Sequence, residues 1–212
     1  MKIKSLLISL LAILTFFSCG AKQSENNNDN DMNKNNNNSK TLVIFFSHAG
    51  DNYGVGNIKE GNTKIVAEII SKKLDADLLE IVCVKDYDMS YDALCNLANK
   101  EQQTGELPGF TLLLNNSKVE GKIDLDTYNN VYIGGPVWWG TYSQVMFSFF
   151  KEYDLNGKTL HPFTTHEGSG LGNCVKDLEK TYPKATFSKA FSIYGHEVRT
   201  EEGKIKIEDW IR

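Results

Sequence analysis

Residues 130–141 read Asn-Val-Tyr-Ile-Gly-Gly-Pro-Val-Trp-Trp-Gly-Thr. The run Val131–Ile133 is rich in β-branched and aromatic side chains, which favours a buried strand. Gly-Gly-Pro is expected to end that strand because proline cannot extend a hydrogen-bonded ladder. Two adjacent tryptophans, Trp138 and Trp139, then fall in a loop, and residues 143–153 place apolar side chains at helical spacing. The stretch therefore predicts a strand, an aromatic loop and a helix.

Similar patterns recur along the chain. Further strands are predicted at residues 41–47, 77–84, 157–165 and 187–194, and further helices at 62–74, 90–103, 173–181 and 205–211. The first apolar run does not alternate with polar residues, which is typical of a strand buried on both faces of a parallel sheet. Residues 110–126 are irregular, apart from a short strand at 112–114. Strands alternating with helices predict an α/β fold, a doubly wound five-stranded parallel sheet with helices on both faces.

The loops after the first, third and fourth strands should converge on one end of the sheet, where open α/β sheets bind ligands. The loop at 48–61 is rich in glycine and asparagine and leads into a helix, so backbone N–H groups and the helix dipole can face an anion. Ser47 and Thr63 add hydroxyl donors, although Asn62 and Thr63 could equally serve as helix caps. The chain lacks Gly-Lys-Ser/Thr, which excludes a nucleoside-triphosphate P-loop. This loop also contains no arginine, so the pattern predicts a site for one phosphate monoester.

The tryptophan loop offers large aromatic faces that suit a flat ligand. The alternative is that both indoles fill the core, and one of them is expected to pack inward. The loop at 166–172 contains three glycines, which would let its backbone approach a ligand closely.

The N-terminal residues predict export. Residues 1–18 combine a basic start with an apolar run too short to span a bilayer, which is typical of a signal peptide. Their end, Ser18-Cys19-Gly20, resembles a bacterial lipoprotein signal in which Cys19 is lipidated; an ordinary secretory signal is the alternative. Residues 20–39, dominated by asparagine and aspartate, predict a disordered tether. We expect a lipoprotein anchored in the bacterial envelope, on the periplasmic or surface side, with residues 40–212 as its folded domain.

Charge argues against one class of partner, and cysteine content predicts the state of the thiols. Removing residues 1–18 leaves 21 basic and 27 acidic side chains, a net charge of −6, which argues against nucleic acid as a partner. With Cys19 lipidated, Cys83, Cys95 and Cys174 remain, without metal-ligand spacing. Buried free thiols are expected, and a bond between Cys83 and Cys95 is the alternative.

Three segments resemble the flavodoxin family: Phe46-Ser47 through Gly61-Asn62-Thr63, Gly134 through Thr141, and Thr165 through Gly170. The resemblance covers the chain from Lys40 to the C-terminus. It implies a flavodoxin-like sheet with strand order 2-1-3-4-5, binding FMN without a covalent bond.

The resemblance also implies which residues contact the cofactor. They are Ser47, His48, Asn52, Gly61, Asn62 and Thr63 near the phosphate, Pro136, Val137, Trp138, Trp139, Gly140 and Thr141 along the isoalloxazine ring, and His166, Glu167, Gly168 and Gly170 at the ring's polar edge. Which of Ser47, His48 and Asn52 touches the phosphate stays open, as does which tryptophan stacks. Glu167 could set the electric field at the flavin or could simply accept bonds from neighbouring N–H groups. No side chain is expected to be catalytic, and no metal is expected.

The implied function is electron transfer by FMN cycling between its oxidised, semiquinone and hydroquinone forms, with redox partner proteins or a small electron acceptor as partners. The alternative is an FMN-dependent NAD(P)H oxidoreductase similar to quinone reductases. A flavin-free binding domain is a third interpretation, less favoured because all three cofactor loops are present. A pyridine nucleotide must lie against the flavin, and tryptophans covering the ring would hinder this, so the carrier is preferred. Membrane association is expected only through lipidated Cys19.

Overall fold

The computed structural model describes residues 40–211. The predicted signal peptide, Cys19 and the tether lie outside the described residues. The strands are β1 (Lys40–Phe46), β2 (Gly50–Asn52), β3 (Gly56–Ile58), β4 (Asp77–Cys83), β5 (Phe110–Leu114), β6 (Ser117–Lys118), β7 (Tyr128–Trp138), β8 (Thr141–Tyr142), β9 (Thr159–His166), β10 (Thr186–Phe187) and β11 (Phe191–Tyr194). The helices are α1 (Asn62–Leu74), α2 (Tyr91–Thr104), α3 (Gln144–Glu152), α4 (Cys174–Thr181) and α5 (Glu201–Trp210). Among these residues, no helix is long and apolar enough to cross a bilayer.

The strands form a mostly parallel sheet in the order β10–β9–β7–β1–β4–β5–β6, with β11 also paired to β9 and β8 to β7. Taking β10 and β11 together as the fifth strand, its parallel part follows the predicted order 2-1-3-4-5. The predicted count of five strands is wrong. The short strand predicted at residues 112–114 is present as β5, which pairs antiparallel with β4, and β6 pairs antiparallel with β5. Asn115 and Asn116 turn this hairpin with positive φ at both residues, the conformation of a tight two-residue turn.

The predicted fifth strand is divided into two pieces. Phe187 pairs with Leu160 of β9, and Phe191 pairs with Phe163 of the same strand. Between these two pairs, residues 188–190 lie opposite only residues 161–162 of β9. Pro162 of β9 lies opposite this break, where it has no N–H group to donate. The break therefore has its cause in the neighbouring strand β9, which the hydrophobicity of residues 187–194 does not reveal.

Two hydrophobic cores lie on opposite faces of the sheet, as the alternation of side chains along β1 requires. Leu42, Ile44 and Phe46 belong to one core, which also contains buried residues of α2, α3 and α4. Val43 and Phe45 belong to the other, together with buried residues of α1 and α5. The prediction of helices on both faces is confirmed.

Strand β7 does not end at Gly134-Gly135-Pro136 as predicted. Its pairing with β1 stops at Gly134, whereas its pairing with β9 continues to Pro136 opposite Thr165. Pro136 therefore pairs with β9 but not with β1. Its missing N–H group costs no hydrogen bond on the β1 side, because the two strands are no longer paired there. Gly134 is also needed for packing, because a Cβ there would lie 2.3 Å from the ring of Phe163.

Two smaller expectations also need correction. Residues 48–61 are not a simple loop, because β2 and β3 form an antiparallel hairpin within them. Helix α5 begins at Glu201 rather than at residue 205, with the Thr200 hydroxyl oxygen accepting a bond from the Gly203 N–H group at 3.0 Å. By contrast, α1 spans the predicted residues 62–74.

The three cysteines within the described residues are free thiols. Cys174 is buried, as expected, whereas Cys83 and Cys95 are only half-buried. The alternative disulfide between Cys83 and Cys95 is not formed.

Candidate functional site

A cavity of about 780 Å³ opens at the carboxyl ends of β1, β7 and β9. The three predicted loops meet there. Of the predicted site residues, His48, Asn52, Asn62, Thr63, Pro136, Val137, Trp138, Trp139, Gly140, His166 and Glu167 line the cavity. Ser47, Gly61, Thr141, Gly168 and Gly170 do not belong to the lining. Its volume is in the range of small-molecule and cofactor sites.

One end of the cavity is the N-terminus of α1. Asn62 and Thr63 are its first two residues, and the first turn contains no acidic side chain, so the positive end of the helix dipole is not neutralised there. The Ser47 hydroxyl lies just behind this turn and accepts a bond from the Lys64 N–H group at 3.0 Å. A Cβ on Gly61 would lie 2.2 Å from that hydroxyl oxygen, so only glycine lets the loop pass this close to the helix. Backbone N–H groups and hydroxyls are thereby concentrated at one point, as an anion site requires.

Thr63 is the most enclosed polar group of this end. It is 1% exposed, and its hydroxyl lies 2.7 Å from that of Thr165 at the end of β9. The pair joins the helix to the strand, so neither hydroxyl depends on solvent for a partner.

Arg199, from the segment between β11 and α5, also reaches this end, although no sequence motif indicates it. Its guanidinium donates to the side-chain oxygen of Asn62 and to the carbonyl of Glu60. The sequence separation of 137 residues between Arg199 and Asn62 explains the omission. The loop at 48–61 itself contains no arginine, and the folded chain brings one to this end from a distant segment.

The tryptophan segment forms a tight hairpin rather than an open loop. Trp138 pairs with Thr141 of β8, and between them Trp139 and Gly140 have φ values of 51° and 82°. Positive φ at both positions defines the turn type that matches the twist of a two-stranded hairpin. The Gly140 carbonyl accepts a bond from the Asn173 N–H group at 2.7 Å, so the start of α4 holds the turn in place.

The two indoles have different surroundings. Trp138 packs edge-on against the rings of Phe46, Tyr87 and His48, with centroids 5.4–5.9 Å apart. Trp139 is 54% exposed, yet its indole N–H group donates to the Cys95 carbonyl at 2.9 Å. One indole is thus held by a cluster of rings, and the other presents surface at the cavity with its orientation fixed by α2.

Thr141 faces away from the cavity. Its hydroxyl donates to the Asp177 carboxylate of α4 at 2.5 Å, and the residue is buried. Its position therefore supports the hairpin from behind.

The loop after β9 forms the opposite wall. The Glu167 carboxylate accepts a bond from the His196 N–H group at 2.9 Å and lies 2.7 Å from that residue's Nδ1. His166 accepts a bond at Nδ1 from the Gly168 N–H group at 2.9 Å, and burial lowers its pKa. Gly170 accepts a bond at its carbonyl from the Thr164 hydroxyl at 2.9 Å. The loop is therefore closed by its own bonds, and Glu167 has partners that hold its charge in place.

His48 lies between the anion end and the tryptophans. Burial lowers its pKa, and its Nε2 atom is buried without a hydrogen-bond partner among the described residues. A neutral imidazole is therefore favoured at neutral pH, with Nε2 able to donate or accept one further bond.

Two further parts of the lining were not predicted. The hairpin β2–β3 brings Asp51 and Tyr53 to the cavity, and the first half of α2 brings Tyr91, Asp92 and neighbouring residues. Asp51 also accepts a bond from the Tyr91 N–H group at 3.1 Å, which joins the hairpin to the helix. The sequence predicts α2 but contains no signal that directs its N-terminal half toward the three loops.

The charged side chains of the lining are Asp51, Asp92 and Glu167, all of them acidic. The described residues bring no group of three metal-ligating side chains together. The cavity thus has an acidic lining and one positively polarised end at α1.

A family model described as flavodoxin matches residues 40–211. Because this match spans most of the chain, the protein belongs to the flavodoxin family.

Solved structures agree with this fold. The chain is similar to two crystal structures whose names class them as flavoproteins. That from Bacteroides uniformis is 25% identical with a TM-score of 0.61, covering 82% of this chain and 97% of the other. That from Bacteroides eggerthii is 28% identical with a TM-score of 0.60, covering 82% and 96%. A flavoprotein from Lactobacillus acidophilus, in complex with FMN, is 19% identical with a TM-score of 0.57, covering 82% and 99%; this likeness shows the fold alone. No curated protein matches the chain.

Proposed function

We propose that this protein binds FMN without a covalent bond and transfers electrons. The observation that carries the proposal is the cavity, which has the positively polarised N-terminus of α1 at one end and an exposed, oriented tryptophan at the other. A flat ring joined to a phosphate monoester matches this arrangement of polar and aromatic groups. The family match to flavodoxin over residues 40–211 supports the same ligand, and the Lactobacillus flavoprotein of the same fold is named as a complex with FMN.

The residues present are suitable for FMN. Asn62, Thr63 and the backbone of the first turn of α1 would hold the phosphate, with the Ser47 hydroxyl behind them. Trp139 would cover the ring, because its indole is exposed and already oriented by the bond to Cys95. The loop carrying His166 would bound the ring on the opposite side. When bound, FMN supplies the redox chemistry, which is the exchange of one or two electrons.

The charge of the lining favours a carrier over a reductase. Asp51, Asp92 and Glu167 oppose the arrival of negative charge, so reduction of a bound flavin should be disfavoured and its potential lowered. NAD(P)H carries at least two phosphates, whereas the lining contains no lysine or arginine. Arg199, beside the N-terminus of α1, is a single cation suited to one phosphate. Redox partner proteins or a small, uncharged electron acceptor are therefore the proposed partners, and nucleic acid is not.

Export and anchoring through a lipidated Cys19 form a separate part of the proposal. It rests on the pattern of residues 1–39 alone, and the electron-transfer proposal does not depend on it.

Anaerobic reduction separates the carrier from its alternative. With FMN bound to the full chain, dithionite should bleach the visible flavin bands, whereas equimolar NADPH or NADH should leave them unchanged over minutes. Rapid bleaching by a pyridine nucleotide would replace the carrier with the FMN-dependent NAD(P)H oxidoreductase.

A further inference from the structure

Arg199 occupies a position that the sequence pattern of the three loops does not reveal. The chain contains two arginines, Arg199 and Arg212, and the first lies over the N-terminus of α1. Its two terminal nitrogens donate to different acceptors, the Asn62 side chain and the Glu60 carbonyl. The guanidinium is thereby oriented toward the turn where a phosphate would bind.

The segment that carries Arg199 is held firmly. A Cβ on Gly195 would lie 2.2 Å from the Asn62 side-chain nitrogen and 2.8 Å from a Glu167 carboxylate oxygen, so this backbone approaches both loops closely. Val198, next to Arg199, is completely buried, and Thr200 on the other side caps α5. Because the guanidinium is also held by its bonds to Asn62 and Glu60, the side chain loses little further conformational freedom when it binds a ligand.

The acidic side chains of the cavity explain why a phosphate would need a cation at this end. The charged residues of the cavity lining are acidic and would repel a phosphate dianion. Lys64, in the first turn of α1, is already paired with Glu80 at 3.1 Å. Arg199 is therefore a positioned cation that can offset the repulsion, and a guanidinium offers two parallel N–H groups to phosphate oxygens.

We propose that Arg199 is the residue that makes the site selective for a phosphorylated flavin, FMN, over riboflavin, which has the same ring and no phosphate. The inference rests on the proposed FMN binding and adds its specificity determinant. In the bound state the guanidinium turns part of its donor set from Glu60 and Asn62 to the phosphate. The ring and ribityl contacts do not involve Arg199.

The test compares two ligands against matched variants of the full chain. Dissociation constants for FMN and riboflavin are measured by flavin fluorescence quenching in the wild type, Arg199→Gln, Arg199→Lys and Lys204→Gln. The last is the control, because Lys204 is a cation of α5 paired with Glu201. Arg199→Gln should weaken FMN binding by about 10- to 100-fold, the loss typical of a charge-assisted hydrogen bond, and leave riboflavin within about twofold. Arg199→Lys should give an intermediate FMN affinity, and the control should match the wild type.

The opposite outcomes are separable. If Arg199→Gln weakens the binding of FMN and riboflavin equally, Arg199 only stabilises the loop. If it changes neither affinity, Arg199 does not contact the phosphate. Either result overturns the inference and leaves the proposed FMN binding intact. If the wild type binds neither flavin, the proposed function itself is wrong. Thermal unfolding of each variant checks that it is folded, and should Arg199→Gln fail to fold, Arg199→Lys with unchanged FMN and riboflavin affinities would refute the role.

Discussion

Substituting Gly172 by alanine should disturb the tryptophan hairpin from a position outside the cavity lining. Gly172 has a φ of 50°, and a Cβ there would lie 2.4 Å from the Gly140 carbonyl oxygen. The same carbonyl accepts the bond from Asn173 at 2.7 Å that holds the hairpin turn against α4. An added methyl group must therefore push the two backbone segments apart, and Trp139 moves with the turn.

Two terms contribute to the cost. Holding alanine in the left-handed region costs about 1–2 kcal/mol. Relieving the contact with Gly140 resembles overpacking, which costs about 1–3 kcal/mol, and includes loss of the hydrogen bond. The free energy of unfolding should fall by about 2–5 kcal/mol in total.

Gly105 provides the matched control, because it has a φ of 68° and a Cβ there would meet nothing within 4 Å. Gly105→Ala should cost only the conformational term, so the two variants should differ by about 2 kcal/mol, or about 4–8 °C in Tm for a domain of this size. Urea or thermal unfolding gives the stabilities, and an FMN titration should show weaker binding only for Gly172→Ala. The reasoning is refuted if Gly172→Ala is no less stable than Gly105→Ala and binds FMN normally.

Trp138→Ala should lower the free energy of unfolding by about 2–3 kcal/mol because its indole packs against three rings. Trp139→Ala should lower it by less than about 1 kcal/mol, because this indole is half exposed. Its main effects should be weaker FMN binding and restored flavin fluorescence. Chemical unfolding and flavin titration of both variants check this, and a Trp139 variant that still quenches fully would contradict it. Burial lowers the pKa of His161 below 6.5, so the unfolded chain binds more protons below that pH and the free energy of unfolding should fall from pH 7 to pH 5. Urea titrations at both pH values should show a smaller fall in the free energy of unfolding for His161→Gln than for the wild type. An equal fall in the two proteins would mean that other titrating groups cause it.

Local patterns were sufficient where the cause of the structure is itself local. The apolar spacing of residues 62–74 predicts α1 with its bounds, and the unbroken apolar run at residues 41–47 predicts the central strand β1. Even the meeting of three loops follows from strand order, since the carboxyl ends of parallel strands lie at one edge of the sheet.

The failures have non-local causes. Gly134-Gly135-Pro136 reads as a strand end, yet the ladder continues because β1 stops pairing at Gly134 while β9 pairs through Pro136. Whether a proline harms a strand depends on which neighbour it faces, and that neighbour lies far along the chain. Arg199 illustrates the same limit within the site, because its partner Asn62 is distant in sequence and no motif links the two.

The most direct test of the central claim is the FMN content of the purified full chain after incubation with FMN and gel filtration, read from the visible spectrum. We predict one FMN per chain, released on denaturation because no covalent bond forms, with absorption bands shifted from those of free FMN. A folded chain that elutes without flavin and leaves the FMN spectrum unchanged in titration would contradict the account.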